Sequence, residues 1–369
     1  MPILRLFSAL RTTAVGTLAL AATCGSPALA PSPPAPSATA TTSATHFIDS
    51  LVAAQRLPGF AVTIGVGNAP IWRHAVGYAN TASQTAATTS TQFRIGSVSK
   101  LLTATLLMRL AQTGRVDLDA PISHFVDVSP QLSGVTLRTL AGHLSGIRHY
   151  RGNEFLSNTH YDSLAAALGV FINDSLVATP GTRYAYSSYG YNLLGVAIER
   201  ATHLPFTVAM RRTVLDPLAL GATTEDDSRA IHPRRAALYM VSGDRIASVP
   251  DDDLSGRWPS GGYLSSSDDL ALFARSTLAP GLLGAASLQT MLTPQHTTTG
   301  AATPVGVGWR VGSDSTFGTY YHHGGTSNGG SAFVLVLPAR QMVIAMATNA
   351  LAQLSERDAL TLARRIIMP

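Results

Sequence analysis

The sequence predicts an α/β fold of the α+β kind. One sheet is assembled from strands near both ends of the chain, helices cover its faces, and a mainly helical lobe is inserted between. Three observations carry this. Strand-like segments cluster before residue 80 and again after residue 305. A long segment of helical character, "SVSKLLTATLLMRLAQTG", follows the first cluster. The stretch from about 116 to 254 mixes helical segments with loops, including an acidic "EDDS".

In chain order, "HFIDSLVAAQRL" places Phe47, Leu51, Val52 and Leu57 at helical spacing. "FAVTIGVG" and "IWRHAVGYA" are rich in β-branched and aromatic residues and read as two strands joined at "NAP". "SVSKLLTATLLMRLAQTG" is apolar nearly all round and ends at a glycine, which predicts a buried helix. Towards the C-terminus, "VGVGWRVG", "SAFVLVLP" and "QMVIAMATN" read as strands, and "ERDALTLARRIIM" as a closing helix. The domain this predicts spans 45–369. Its sheet lobe comes from about 45–115 and 255–369, its helical lobe from about 116–254.

The 369 residues are 46% hydrophobic and 13% charged, a globular composition. The net charge of +5 is modest, and no Lys/Arg-rich run with interleaved aromatics occurs, so nucleic acid is not an expected partner. The first 30 residues read as an export signal. Arg5 and Arg11 are followed by the apolar run "TTAVGTLALAAT", and "ALA" at 28–30 offers a cleavage site, although Pro31 after it is a poor fit. The chain is therefore expected to be exported, periplasmic or secreted. Cys24, the sole cysteine, ends the apolar run, and lipidation there with tethering to an outer membrane is the lesser alternative. Once the signal is removed no cysteine remains, which excludes disulfides, thiolate nucleophiles and Cys-metal sites. Residues 31–44, "PSPPAPSATATTSA", have the composition of a disordered tether.

The chemistry centres on "RIGSVSK". Of the 26 basic residues, Lys100 is the only lysine. Ser97 lies three residues before it, so at a helix start the two side chains share a face. A serine hydroxyl needs a neighbouring base to become a nucleophile. The helix N-terminus and burial both disfavour a cation at Lys100, which draws its pKa towards neutrality. A neutral amine can then take the serine proton, a task arginine cannot perform. The backbone N–H of Ser97 is a natural oxyanion donor. Ser-x-x-Lys alone is a weak signal, equally compatible with an N-capping serine and an exposed lysine.

The surroundings strengthen it. "FRIGSVSK", "VTLRTLAGHLSGIRHY", "PGTRYAYSSYGYNLLG", "WPSGGYLSSSDDLALFA" and "YHHGGTSNGGSAFVLVLP" occur in an order that resembles the serine β-lactamase and penicillin-binding-protein superfamily. The likeness is to its class C-like branch, and most of all to the mitochondrial serine β-lactamase-like proteins and their bacterial relatives. The resemblance covers nearly all of 46–369. It implies a β-lactamase/transpeptidase-like fold with an antiparallel sheet and a serine hydrolase acting through an acyl-enzyme. It also implies site residues. Ser97 matches the nucleophile, Lys100 its base, and Tyr186 the tyrosine that moves protons. His322-His323-Gly324 matches the third element on the strand facing the site, with a one-residue choice between His322 and His323. His322 is taken as the catalytic position, with His323, Gly324 and Ser188 lining the substrate site and Gly325 offering the second oxyanion N–H. No carboxylate or third histidine stands at ligand spacing nearby, so no metal and no cofactor is expected.

Three departures from the family pattern matter. Ser188 stands where Tyr-x-Asn has asparagine, and its short hydroxyl reaches less far. A histidine replaces the third-element lysine and carries little charge at pH 7. The hydroxyl-bearing threonine of that element is missing too. These departures point to an amide or ester hydrolase of peptide-like or small-acyl substrates. A β-lactamase or D-Ala-D-Ala carboxypeptidase proper is the alternative, in which Arg310 or Arg148 would supply charge. A non-catalytic penicillin-recognition sensor is the alternative of another class. "YAN" at 78–80 precedes Ser97 and is in the wrong order for the second element. "GTSNG" at 325–329 mimics a nucleophile elbow, but a strand-like run follows Ser327 where an elbow needs a helix.

Overall fold

The computed structural model of the chain describes residues 35–367. The export signal and Cys24 lie outside the described residues. We number the elements that build the site in chain order. The helices are α1 (Ala38–Gln55), α2 (Ser99–Gln112), α3 (Ser188–Thr202), α4 (Ser267–Arg275) and α5 (Glu356–Ile367). The strands of the main sheet are β1 (Gly59–Val66), β2 (Ala69–Asn80), β3 (Thr85–Ala86), β4 (Arg310–Asp314), β5 (Gly318–Ser327), β6 (Gly330–Leu337) and β7 (Met342–Thr348).

The sheet order is β3-β2-β1-β7-β6-β5-β4, with every neighbour antiparallel. At its centre β1 pairs with β7, Phe60 opposite Thr348, so the two ends of the chain meet there. The sheet built from both termini is thus present. Its central strands are covered on both faces, which is why "SAFVLVL" and "MVIAMAT" read as continuous apolar runs rather than alternating ones. Phe333, Leu335, Met342, Ile344 and Met346 pack on one face with α1 and α5. Ala332, Val334, Val336, Val343 and Ala345 pack on the other in a core shared with α2 and α3. Helix α2 is buried from Ser99 to Met108, as its all-round apolar character predicts.

Three expectations are corrected. Helix α1 starts at Ala38, so residues 38–44 are its first turns rather than a disordered tether. Ala40, Ala44, Ile48 and Val52 form a buried stripe at four-residue spacing, and the Ser37 hydroxyl accepts from Ala40 N–H at the helix start. Alanine is the best helix former, and in an Ala/Ser/Thr-rich stretch that stripe is hidden by the composition. In "VGVGWRVG" only the residues from Arg310 onward form a strand. The region expected to be mainly helical also holds strands, an antiparallel pair at Tyr239–Ser242 and Arg245–Ser248. The segment Thr224–Glu225 joins Tyr263–Ser265 and Phe93–Arg94 in a small second sheet. Among the described residues no helix is long and apolar enough to cross a membrane, and no group of three or more His, Cys, Asp or Glu could hold a metal ion.

Candidate active site

A tight 3-10 turn, Gly96–Val98, leads into α2 and carries Ser97. Gly96 has φ +48°, a left-handed conformation that glycine adopts freely. A Cβ on it would lie 2.3 Å from the carbonyl oxygen of Thr326, and one on Gly325 would lie 2.0 Å from that of Ile95. The two glycines let strand β5 close directly onto the turn that presents Ser97.

Three elements converge there. The Lys100 ammonium nitrogen, fully buried, lies 3.1 Å from Ser97 Oγ, 3.0 Å from Ser188 Oγ and 2.6 Å from the carbonyl oxygen of Ser260. Tyr186, just before α3, donates its hydroxyl to Ser97 Oγ at 2.8 Å. Burial pulls the Lys100 pKa down from 10.5 to about 7, helped by the nearby Arg310 guanidinium. A neutral Lys100 then has the right inventory: two N–H donors for Ser188 and Ser260, and a lone pair for the Ser97 proton. Burial pushes Tyr186 up to about 12, so it is a protonated phenol near neutrality.

The ladder of β5 decides which of its groups face this cluster. The N–H of Val311 on β4 donates outward to Pro304, so Arg310 and Gly312 are the residues that bond to β5, opposite His322 and Tyr320. By alternation, the backbone groups of His323, Gly325 and Ser327 bond to β6. Those of Gly324 and Thr326 point to the edge that β4 leaves free beyond His322. The expectation that Gly325 offers its N–H is therefore corrected: that group belongs to the ladder with Ala332, and the outward N–H beside Gly96 is that of Thr326.

Side chains alternate in the same way. His323 faces the cluster, buried, with its ring centre 6.4 Å from that of Tyr186. Its Nδ1–H donates to the carbonyl oxygen of Gly324 at 2.6 Å, and burial holds its pKa well below the ordinary histidine value. The His322 ring points to the opposite face, stacked on Phe333 with Nε2 3.2 Å from Glu356. The choice between the two histidines thus falls on His323, and His322 does not join the catalytic cluster. Gly324 lines the cavity over Ser97, and a Cβ on it would lie 3.2 Å from the Phe333 ring.

A cavity of about 420 Å³ lies over Ser97, bounded by Tyr150, Tyr186, His149, Arg310 and the edge of β5; His322, Phe333 and Leu354 line it as well. Arg310 places its guanidinium 5.6 Å from the Tyr186 ring centre, and no carboxylate pairs with it among the described residues. Arg148 is no candidate for the cleft: it is buried and held by Glu154 and Asp174. Ser188, 2% exposed, is committed to Lys100.

The histidines of "AGHLSGIRHY" carry no role in the sequence pattern, yet both meet the second site element. His149 Nδ1 accepts the N–H of Ser188 at 3.2 Å, and His143 Nδ1 accepts that of Ser187 at 3.1 Å. The two literal motifs fall away. Asn80 caps the turn after β2 by accepting from Ala82 and Ser83 N–H. Ser327 is followed by the strand β6, so it sits on no nucleophile elbow.

Comparison with known proteins agrees with this architecture. The chain is 26% identical over 377 residues to the human "Serine beta-lactamase-like protein LACTB, mitochondrial", covering 76% of this chain and 69% of that one. Among solved structures it superposes on a D-stereospecific amidohydrolase from Streptomyces with a TM-score of 0.73 at 24% identity, covering 89% of this chain and 98% of that one. It superposes on EstCE1, described as a hydrolase with promiscuous acyltransferase activity, with a TM-score of 0.76 at 19% identity and the same coverage. At these identities the two structures speak for the fold. The Beta-lactamase family model matches residues 44–367, nearly the whole described chain, and this protein belongs to that family of serine-hydrolase-like proteins.

Proposed function

We propose that this chain is an exported serine hydrolase that forms an acyl-enzyme on Ser97 with peptide-like or small-acyl amides and esters. The observation that carries the reading is the position of Ser97 Oγ, 3.1 Å from a buried Lys100 of pKa about 7 and 2.8 Å from the Tyr186 hydroxyl. Lys100 takes the Ser97 proton as Oγ attacks the carbonyl carbon. The N–H groups of Ser97 and Thr326 receive the developing oxyanion. Tyr186 gives its proton to the leaving group and regains one through the Lys100 ammonium. In the second half-reaction the same pair takes a proton from the water that releases the acyl group.

Arg310 supports the narrower reading of a substrate with a carboxylate. Among the described residues no carboxylate pairs with this cleft cation, in a site where burial holds the His323 pKa well below the ordinary histidine value. This keeps a D-peptide carboxypeptidase alongside a plain esterase or amidase. Export rests on the sequence of residues 1–30 alone.

Ser97→Ala is expected to abolish labelling by a serine-reactive phosphonate and to lower ester turnover by at least about a thousandfold. Persistent labelling of the variant sinks the assignment. Hydrolysis of nitrophenyl esters, a chromogenic cephalosporin, and D- and L-peptides with free or amidated C-termini separates the substrate classes. A stable covalent adduct without turnover, read by intact-protein mass, marks a sensor instead.

A further inference from the structure

Tyr186 is not held by a helix. It lies two residues before α3, where N–H groups lack intrahelical partners. Its hydroxyl nevertheless has to stay on Ser97 Oγ, and a misplacement of about 1 Å at a catalytic group costs roughly a hundredfold in rate.

His143 supplies the restraint from both sides. Its carbonyl oxygen accepts the N–H of Ala185 at 2.8 Å, and its ring Nδ1 accepts the N–H of Ser187 at 3.1 Å. These are the two residues flanking Tyr186. The imidazole face also lies against the Tyr186 ring, with centres 4.4 Å apart and planes at 38°. The neighbouring segment continues the grip, because Ser187 Oγ donates to the carbonyl oxygen of Arg148 and Ser188 N–H donates to His149 Nδ1.

The local cost at His143 argues for a role beyond packing. Its φ is +58°, in the left-handed region that only a few per cent of non-glycine residues adopt, with asparagine, aspartate and histidine the commonest among them. With Nδ1 accepting, the ring proton is on Nε2, which is buried without a partner. A buried orphan donor and a strained backbone at one residue are each destabilising. An asparagine would relieve the backbone and keep the acceptor, but it would lose the flat face against Tyr186. Burial keeps the ring neutral, which preserves Nδ1 as an acceptor.

We propose that His143 is a positioning residue that fixes the Tyr186 hydroxyl on Ser97 through the two flanking amides and the ring face. The inference rests on Tyr186 acting in the reaction, as read above.

The test is steady-state hydrolysis of a nitrophenyl ester by His143→Asn, His143→Phe, Tyr186→Phe and the His143→Phe/Tyr186→Phe double variant. Melting curves and phosphonate titration of Ser97 correct each for folded protein. His143→Phe keeps a ring face and loses the acceptor. Its kcat is expected to fall about 30- to 100-fold, with KM within about threefold. His143→Asn restores the acceptor and is expected to stay within about fivefold of wild-type kcat. In the Tyr186→Phe background, His143→Phe is expected to add little further loss. The proposal is overturned by a fully active His143→Phe, by an Asn variant as poor as Phe, by a change carried in KM, or by a loss that persists undiminished without the Tyr186 hydroxyl. An active Tyr186→Phe enzyme instead removes the reading of Tyr186 itself, and this inference with it.

Discussion

Position 100 shows what one residue contributes. Wherever else this chain needs a fixed positive charge it uses arginine; here it uses a lysine that is buried and drawn to a pKa of about 7. Lys100→Arg keeps the cation but removes any ability to release a proton, so the rate constant for acylation is expected to drop at least about a thousandfold. An active arginine variant overturns the assignment of the base. The sign of the pH dependence follows from the same shift. The amine works when neutral, so kcat/KM for a neutral ester should be low in acid, rise through about pH 7, and level off above it. Tyr186, near 12, stays protonated across that range and adds no limb. A pH–rate profile that is flat between 5.5 and 8.5, on a substrate that does not itself ionise, contradicts this. Ser97 and Lys100 are proposed from a short-range signal, three-residue spacing at a helix start, and Tyr186 from the order of motifs that carries the family resemblance. His143 stands in the motif "AGHLSGIRHY", yet its proposed role depends on amides more than forty residues away, which no local pattern reveals.

At the level of elements, two close approaches set the geometry. Strand β5 reaches the Ser97 turn because Gly96 and Gly325 leave no side chain between them. Which face of β5 each histidine takes, and which of its amides is free, follow from pairing with β4 and β6. A one-residue shift in register exchanges faces, so "YHHGG" alone left two answers and the ladder chose His323 and Thr326. Helix α1 is the second case. Its alanine stripe packs in the core formed by α5 and the sheet, with Ala40 and Ala44 at 1% and 0% exposure. A chain starting at His46 loses these contacts and the Ser37 cap. It is expected to be less stable than one starting at Ala35 by about 2 kcal/mol, a fall of roughly 3 °C in Tm for a domain of this size. Equal melting temperatures would return residues 35–45 to the role of a tether.

On the scale of the whole molecule, the cleft depends on the inserted segments being locked to the sheet behind Ser97. Arg94, three residues before the serine and 1% exposed, ion-pairs with Asp226, Asp251 and Asp252 and donates to the carbonyl oxygen of Asn328 at the β5–β6 turn. Arg94→Met leaves buried carboxylates with fewer partners and is expected to cost about 3 kcal/mol or more, roughly 4 °C or more in Tm. A variant that melts within 2 °C of wild type shows that this network does not hold the segments together. The order of motifs in the sequence carried the resemblance to the family, and hydrophobic patterning carried the sheet drawn from both ends of the chain and the buried helix; the spacing of Ser97 and Lys100 carried the proposed pair. These are written in hydrophobic periodicity and in residue spacing along the chain, both of which survive without tertiary contacts. The tertiary structure alone decided the inward histidine, the free edge amide and the clasp on Tyr186. Each of these depends on which distant backbone lies alongside, and desolvation and hydrogen-bond direction exist only once the segments are packed.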